Sequence, residues 1–176
     1  MKKTRAFCLY LSAVLLLFFS LPGCHGKTGP SDPFSVFSGN FTASLSVEIN
    51  GNASACLYER DAAETRITFT SPDTLSGFVF SVSGENTVLK HGETEVETND
   101  RTSFLPRLIS SVFSAQGNDV TEIKTERTDG NTVTAVKTPT MLFRFSQTGI
   151  PLYAEGSANG TPFRITITSF SAGNGA

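Results

Sequence analysis

The chain of 176 residues has no tryptophan and only two histidines and three cysteines. These shortages limit the metal sites and catalytic motifs that it can form. With only His25 and His91, neither a three-histidine zinc site nor an H-E-x-x-H motif can form. The chain also lacks a C-x-x-C pair, a G-x-S-x-G elbow and a glycine-rich phosphate loop. We therefore expect a protein that is not an enzyme, with no catalytic residue, no metal and no cofactor.

The chain also lacks an apolar run long enough to span a bilayer. Residues 6–21 are almost wholly apolar, but this run of about 16 residues is shorter than the ~20 that a spanning helix needs. Lys2, Lys3 and Arg5 precede it, and small residues follow it. A positive start, a short apolar centre and a small-residue end are typical of a secretion signal, so we expect an exported protein.

The signal ends in Leu21-Pro22-Gly23-Cys24, which resembles the lipobox of bacterial lipoprotein precursors. That resemblance implies cleavage before Cys24 and attachment of a diacylglyceryl anchor to its thiol. Two acyl chains anchor a protein stably where one does not. We expect residues 1–23 to be the signal peptide and residues 24–33, which are rich in Gly and Pro, to be a flexible tether at the extracytoplasmic face of the cell membrane.

Without residues 1–23 the chain keeps 153 residues, enough for one domain. The signal holds three basic and no acidic residues, so the net charge changes from −2 to −5. This balance argues against nucleic acid as a partner. Cys8 leaves with the signal and Cys24 takes the lipid, so Cys56 has no disulfide partner and is expected to be a small buried residue.

The body of the chain reads as β structure. Apolar and polar residues alternate over residues 41–49, which is the pattern of a strand with one buried face. Asn50-Gly51 then gives a hairpin signal. Similar short runs continue to residue 170 and predict about ten strands, with a disordered tail over residues 171–176.

One segment, residues 104–116, has the spacing of an amphipathic helix. Its apolar face holds Phe104, Leu105, Leu108, Ile109, Val112 and Phe113, and its polar face holds Arg107, Ser110, Ser111 and Ser114. Thr102 or Ser103 can cap its start, and Gly117 can end it. A single amphipathic helix between two groups of strands must lay its apolar face on the sheet. The fold class is therefore mainly β (α+β), a curved antiparallel sheet with one helix packed on it.

The order of these elements resembles the LolA/LolB family over residues 34–170. The similarity rests on residues 65–72, a strand that ends in Ser83-Gly84, the mid-chain helix and residues 151–155 with 163–167. The long N-terminal helix of that family is absent here or reduced to residues 32–38. The resemblance implies a half-open β-barrel with an apolar hollow that shelters acyl chains of a lipid or lipoprotein.

The apolar residues of the helix and of neighbouring strands are our candidates for the lining of a lipid-binding cavity. They are Phe69, Phe78, Phe80, Phe104, Leu108, Ile109, Val112, Phe113, Phe143 and Phe145. Periodicity alone does not distinguish such a cavity from a filled core. The protein partner, if any, is not indicated by the sequence.

Several features favour other interpretations less strongly. Glu93, Glu95 and Glu97 share one strand face. Carboxylates in this arrangement could bind Ca²⁺ or form a glycosidase pair, but they are more typical of the solvated face of an edge strand. Three glycosylation sequons, at Asn40, Asn52 and Asn159, keep a second function open: a β-sandwich that serves in adhesion or protein interaction. An amphipathic helix is unusual in such sandwiches and discriminates between the two.

Overall fold

The computed structural model describes residues 32–84, 86–98, 103–128 and 130–173. These residues belong to one compact unit that begins at Asp32 and contains the whole apolar core. The expected signal peptide, Cys24 and most of the tether lie outside the described residues and remain predictions. No helix in the described part of the chain has the length and hydropathy of a membrane span.

Eleven strands make up most of the domain. They are β1 Phe41–Ile49, β2 Asn52–Arg60, β3 Thr65–Ser71, β4 Val79–Ser83, β5 Asn86–His91, β6 Thr94–Glu97, β7 Glu122–Thr128, β8 Asn131–Lys137, β9 Met141–Ser146, β10 Pro151–Ala158 and β11 Thr161–Ala172. One α-helix, α1, spans Phe104–Val112 between β6 and β7, and a 3-10 turn precedes β1 at Ser35–Phe37.

All eleven strands form one antiparallel sheet in the order β6-β5-β4-β3-β2-β1-β11-β10-β9-β8-β7. The terminal strands β6 and β7 are the two edges, so the sheet is curved but not closed. This confirms the expected fold class, with eleven strands in place of about ten. It is not the β-sandwich of the second interpretation, because a sandwich needs two sheets packed face to face.

Strand β1 forms the middle of the sheet and shows why its sequence alternates. Phe41, Ala43, Leu45 and Val47 are buried, with at most 2% of each exposed, while the residues between them point away from the core. β1 pairs with β2 on one side and with β11 on the other. Asn50 and Gly51, with φ of 49° and 80°, form the predicted turn into β2.

Three register shifts bend the sheet. β11 has an extra residue opposite the Ser44/Leu45 step of β1, and its Thr168 hydroxyl donates to the Ser44 carbonyl at 3.0 Å. Further shifts lie between β2 and β3 and between β9 and β10. An extra residue in one strand of a pair increases local twist and bends that strand. The shifts therefore curve the sheet around its apolar face.

Two boundaries differ from those expected from the sequence. The helix ends at Val112 and not near Gln116, because Phe113 leaves the helical conformation with ψ near 0°, and Gly117 instead begins a second 3-10 turn. β11 continues to Ala172, into the segment expected to be a tail, because Phe170 and Ala172 still pair with β1.

Candidate functional site

The helix-covered face of the sheet holds all ten cavity candidates. Eight are buried, with at most 9% of each exposed, whereas Phe78 and Phe104 are half-buried. The structure brings the ten together in one apolar cluster between α1 and the sheet, which we call the apolar layer. Their side chains pack against one another, as in the Phe69–Phe80 ring pair at 5.8 Å. Their role as a ligand-binding lining remains a prediction.

The 3-10 turn adds two rings to this layer that the sequence did not indicate. Phe34 lies 4.8 Å from the Phe143 ring, and Phe37 lies 5.2 Å from the Phe113 ring. Both are only 3% exposed. The turn thus covers the part of the sheet that α1 leaves free. A short Phe-x-x-Phe run just before an alternating strand was the only available signal.

Arg60, the last residue of β2, connects the sheet to both covering elements. Its Nη1 donates to the Phe37 carbonyl at 3.1 Å and to the Phe113 carbonyl at 3.0 Å. The second of these carbonyls lies just past the end of α1, where a helix has unsatisfied acceptors and a partial negative charge. A single half-buried guanidinium therefore fixes the turn and the helix end on the sheet.

A small group of polar side chains lies at the Arg60 end of the apolar layer. Tyr58 is 1% exposed, and burial raises the pKa of its phenol. The nearby hydroxyls of Thr65 and Ser110 and the charge of Arg60 act on that pKa in the opposite direction. Ser110, expected on the polar face of the helix, thus has its hydroxyl turned toward the sheet, because it lies where the two faces of α1 meet.

Three buried polar side-chain atoms in the described part of the chain form no well-aligned hydrogen bond, and Ser110 Oγ is the one that belongs to this group. The three atoms are Ser110 Oγ, Thr87 Oγ1 and Arg144 Nε. Thr87 lies on β5, opposite Val82, which in turn pairs with Thr65. Most buried hydroxyls in proteins are hydrogen-bonded, so such atoms need an explanation.

Cys56 lies in the same layer and is 3% exposed. The prediction that it is buried is confirmed. Desolvation raises the pKa of its thiol to about 12, so the thiol stays protonated and unreactive. The sequence left open which face of β2 is buried, and the structure shows that it is the face of Cys56 and Tyr58.

A separate groove of about 780 Å³ lies at one end of the sheet, between the β1–β2 and β8–β9 turns. None of the ten cavity candidates lines it. Its walls include Pro139, Met141, Leu142, Pro162 and Phe163, with charged side chains at the rim. Across the strands at this rim, Arg164 pairs with Glu155 at 2.6 Å.

The three glutamates lie outside the apolar layer, and His91 contacts it only through the half-buried Phe78 ring. β6, with Glu95 and Glu97, is an edge strand whose residues are all exposed. No group of three or more His, Cys, Asp or Glu residues that could hold a metal occurs in the described ranges. His91 ends β5 and stacks on the Phe78 ring at 4.4 Å, still exposed.

Comparisons with known proteins bear on the fold. No protein-family model and no curated protein matches the chain. Among solved structures, it is similar to an uncharacterized conserved protein from Thermus thermophilus, with a TM-score of 0.50 and 11% identity over 80% of this chain and 83% of that one. What the two share is the fold.

Two further structures are similar at lower scores. One is a LolA superfamily protein from Nitrosomonas europaea, with a TM-score of 0.40 and 8% identity over 78% of this chain and 88% of that one. The other is the lipoprotein LppX of Mycobacterium tuberculosis, with a TM-score of 0.44 and 14% identity over 77% and 88% of the two chains. The structural neighbours thus include LolA-superfamily proteins and lipoproteins.

Proposed function

We propose that the protein is a membrane-anchored extracytoplasmic lipoprotein that binds or carries acyl chains in its apolar layer. One observation carries the proposal. An open, curved sheet presents a continuous apolar face, and in the described part of the chain a nine-residue helix and a three-residue turn lie over it. The buried rings of this face come from two separate strand groups, with Phe69 and Phe80 in one and Phe143 and Phe145 in the other.

Binding by such a site needs burial and no catalytic group. Transfer of an acyl chain into the layer gains about 0.8 kcal/mol per methylene. The side chains of the layer are packed together when α1 lies on the sheet, so the ligand must enter as the helix moves outward. An acyl chain that enters there replaces the apolar contacts that α1 gives up, so one buried apolar surface is exchanged for another.

The binding experiment uses residues 31–176, which contain every strand and the whole core. We expect this domain to bind a fluorescent fatty acid and to unfold in one urea transition. Ile109, 0% exposed beneath the helix, is the test position. Ile109→Asp should reduce the free energy of fatty-acid binding by more than it reduces the free energy of unfolding. The reason is that the new charge would lie directly against the bound acyl chain. Ser111→Asp places the same charge on the exposed side of α1 and should leave binding unchanged.

Two results would contradict the proposal. The first would be that the folded wild-type domain does not bind the fatty acid at any concentration. The second would be that Ile109→Asp simply unfolds the protein while Ser111→Asp does not. In either case the layer is a filled core. Mass spectrometry of lipids extracted with the purified protein gives an independent measurement.

The anchor has its own test. We expect Cys24→Ser to leave an exported but uncut and unlipidated precursor, because Ser lacks the thiol that accepts the diacylglyceryl group. Metabolic labelling with a radioactive fatty acid measures the modification. Label on the Ser variant at the wild-type level would refute the anchor.

A further inference from the structure

The apolar layer has one polar end, formed by Tyr58, Arg60, Thr65 and Ser110. Strand register places Arg60 directly opposite Thr65, and Tyr58 lies two residues earlier on the same face of β2. Ser110 reaches the group from α1, one turn before Phe113, whose ring lies 4.4 Å from that of Tyr58. We call these four residues the polar end.

Two members of the polar end have unused capacity for a ligand. Ser110 Oγ is buried beside the Tyr58 hydroxyl and forms no other hydrogen bond among the described residues. Within the described ranges, no carboxylate forms an ion pair with Arg60, whose two bonds go to neutral backbone carbonyls. A serine hydroxyl has one donor and two acceptor sites, so its contact with Tyr58 leaves capacity for a bond to a ligand oxygen.

We propose that the polar end binds the anionic head of a single-chain lipid, such as the carboxylate of a fatty acid, whose chain lies in the apolar layer. This inference rests on the proposed function and adds the class of head group. Arg60 supplies the charge, and the hydroxyls of Tyr58, Thr65 and Ser110 supply hydrogen-bond donors.

The chemistry of Arg60 favours an anion over what it now binds. A carboxylate has a full negative charge where a carbonyl has only a partial one, and it can accept two parallel N–H bonds from one guanidinium. A carboxylate can therefore compete with the Phe37 and Phe113 carbonyls for Arg60. On the outer side Arg60 also lines a polar pocket of about 220 Å³ with Glu59, Asp61 and Glu64. None of these three carboxylates forms an ion pair with Arg60, and Glu64 pairs with Arg66 at 2.9 Å.

The test compares ligands that share a chain and differ in the head. Binding of oleate, oleyl alcohol and inorganic phosphate to residues 31–176 is measured by calorimetry. We expect oleate to bind about tenfold more tightly than oleyl alcohol, the usual effect of one hydrogen bond to a charged group. Phosphate alone should not bind, because it has no chain to bury.

Variants then locate the head group. Ser110→Ala and Tyr58→Phe should each weaken oleate binding about tenfold or more, the effect of one hydrogen bond to a charged group, and leave oleyl alcohol binding unchanged. Ser110→Ala should also keep or raise the urea midpoint, which separates its effect from misfolding. Ser111→Ala, an exposed neighbour, is the matched control and should change neither affinity.

The outcomes separate the two proposals. If the wild-type domain binds neither oleate nor oleyl alcohol, the proposed function itself fails. If it binds both equally and Ser110→Ala changes nothing, acyl binding stands and the anionic head is wrong. Binding of phosphate alone, lost in Arg60→Met, would also overturn the inference, because the site would then take a free anion.

Discussion

Arg60 offers the most direct test of how the apolar layer is covered. The residue joins the sheet to the 3-10 turn and to the end of α1 through its two bonds to the Phe37 and Phe113 carbonyls. Both acceptors lie on elements whose other buried contacts with the sheet include many apolar side chains. Arg60→Met keeps the apolar stem of the side chain and removes both hydrogen bonds.

The expected loss can be worked from this geometry. A hydrogen bond to a charged group contributes about 1.5–3 kcal/mol, and the half-buried position of Arg60 favours the lower value for each. The two bonds together then give a loss of about 3 kcal/mol in the free energy of unfolding. For a domain of this size, that loss lowers the melting temperature by about 8–12 °C.

Urea unfolding followed by circular dichroism measures the loss. Arg66→Met is the control, because Arg66 is 53% exposed and its ion pair with Glu64 should contribute less than about 0.5 kcal/mol. Hydrogen exchange should also accelerate at the amides of α1 and stay slow in β1 and β11. The reasoning is refuted if Arg60→Met costs no more than Arg66→Met, or if exchange accelerates equally throughout the sheet.

Three other substitutions and one labelling experiment test packing. A Cβ on Gly156 would lie 2.5 Å from the Thr140 carbonyl oxygen, so Gly156→Ala should lower the free energy of unfolding by about 1–3 kcal/mol. Gly39→Ala meets nothing within 4 Å and should change it by less than about 0.5 kcal/mol; equal urea midpoints for the two variants would contradict this. Cys56→Ala should cost about 1–2 kcal/mol. The Cys56 thiol, with its pKa raised to about 12, should react with a bulky maleimide only after urea is added, and rapid labelling of the folded protein would show that it is not buried.

The sequence predicts the local elements of this fold well because each depends on nearby residues. The alternation of β1, the Asn50-Gly51 turn and the apolar face of α1 follow from periods of two and 3.6 residues and from turn chemistry. Burial of Leu108, Ile109 and Val112 agrees with that face. The boundaries were less predictable, since the end of α1 depends on a conformational change at Phe113 and not on a nearby glycine.

The polar end and the aromatic cover depend on long-range contacts, and so the sequence did not reveal them. Tyr58 and Ser110 are 52 positions apart, and only the packing of α1 over the sheet brings them together. Phe37 meets Phe113 for the same reason. Nothing in the local pattern of β2 distinguishes its Cys56 face from its Ala55 face. Pairing with β1 decides this, because it sets Cys56 opposite Leu45.

The strand order also has a consequence for how the chain folds. Ten pairs of neighbouring strands hold the sheet together, and in nine of them the two strands are adjacent in sequence. The tenth, β1 with β11, joins residues more than 100 positions apart. Closing so long a loop costs about 3 kcal/mol more than closing a four-residue hairpin. Two meanders can thus form early and independently, and their meeting at the centre of the sheet is the step that sets the folding rate.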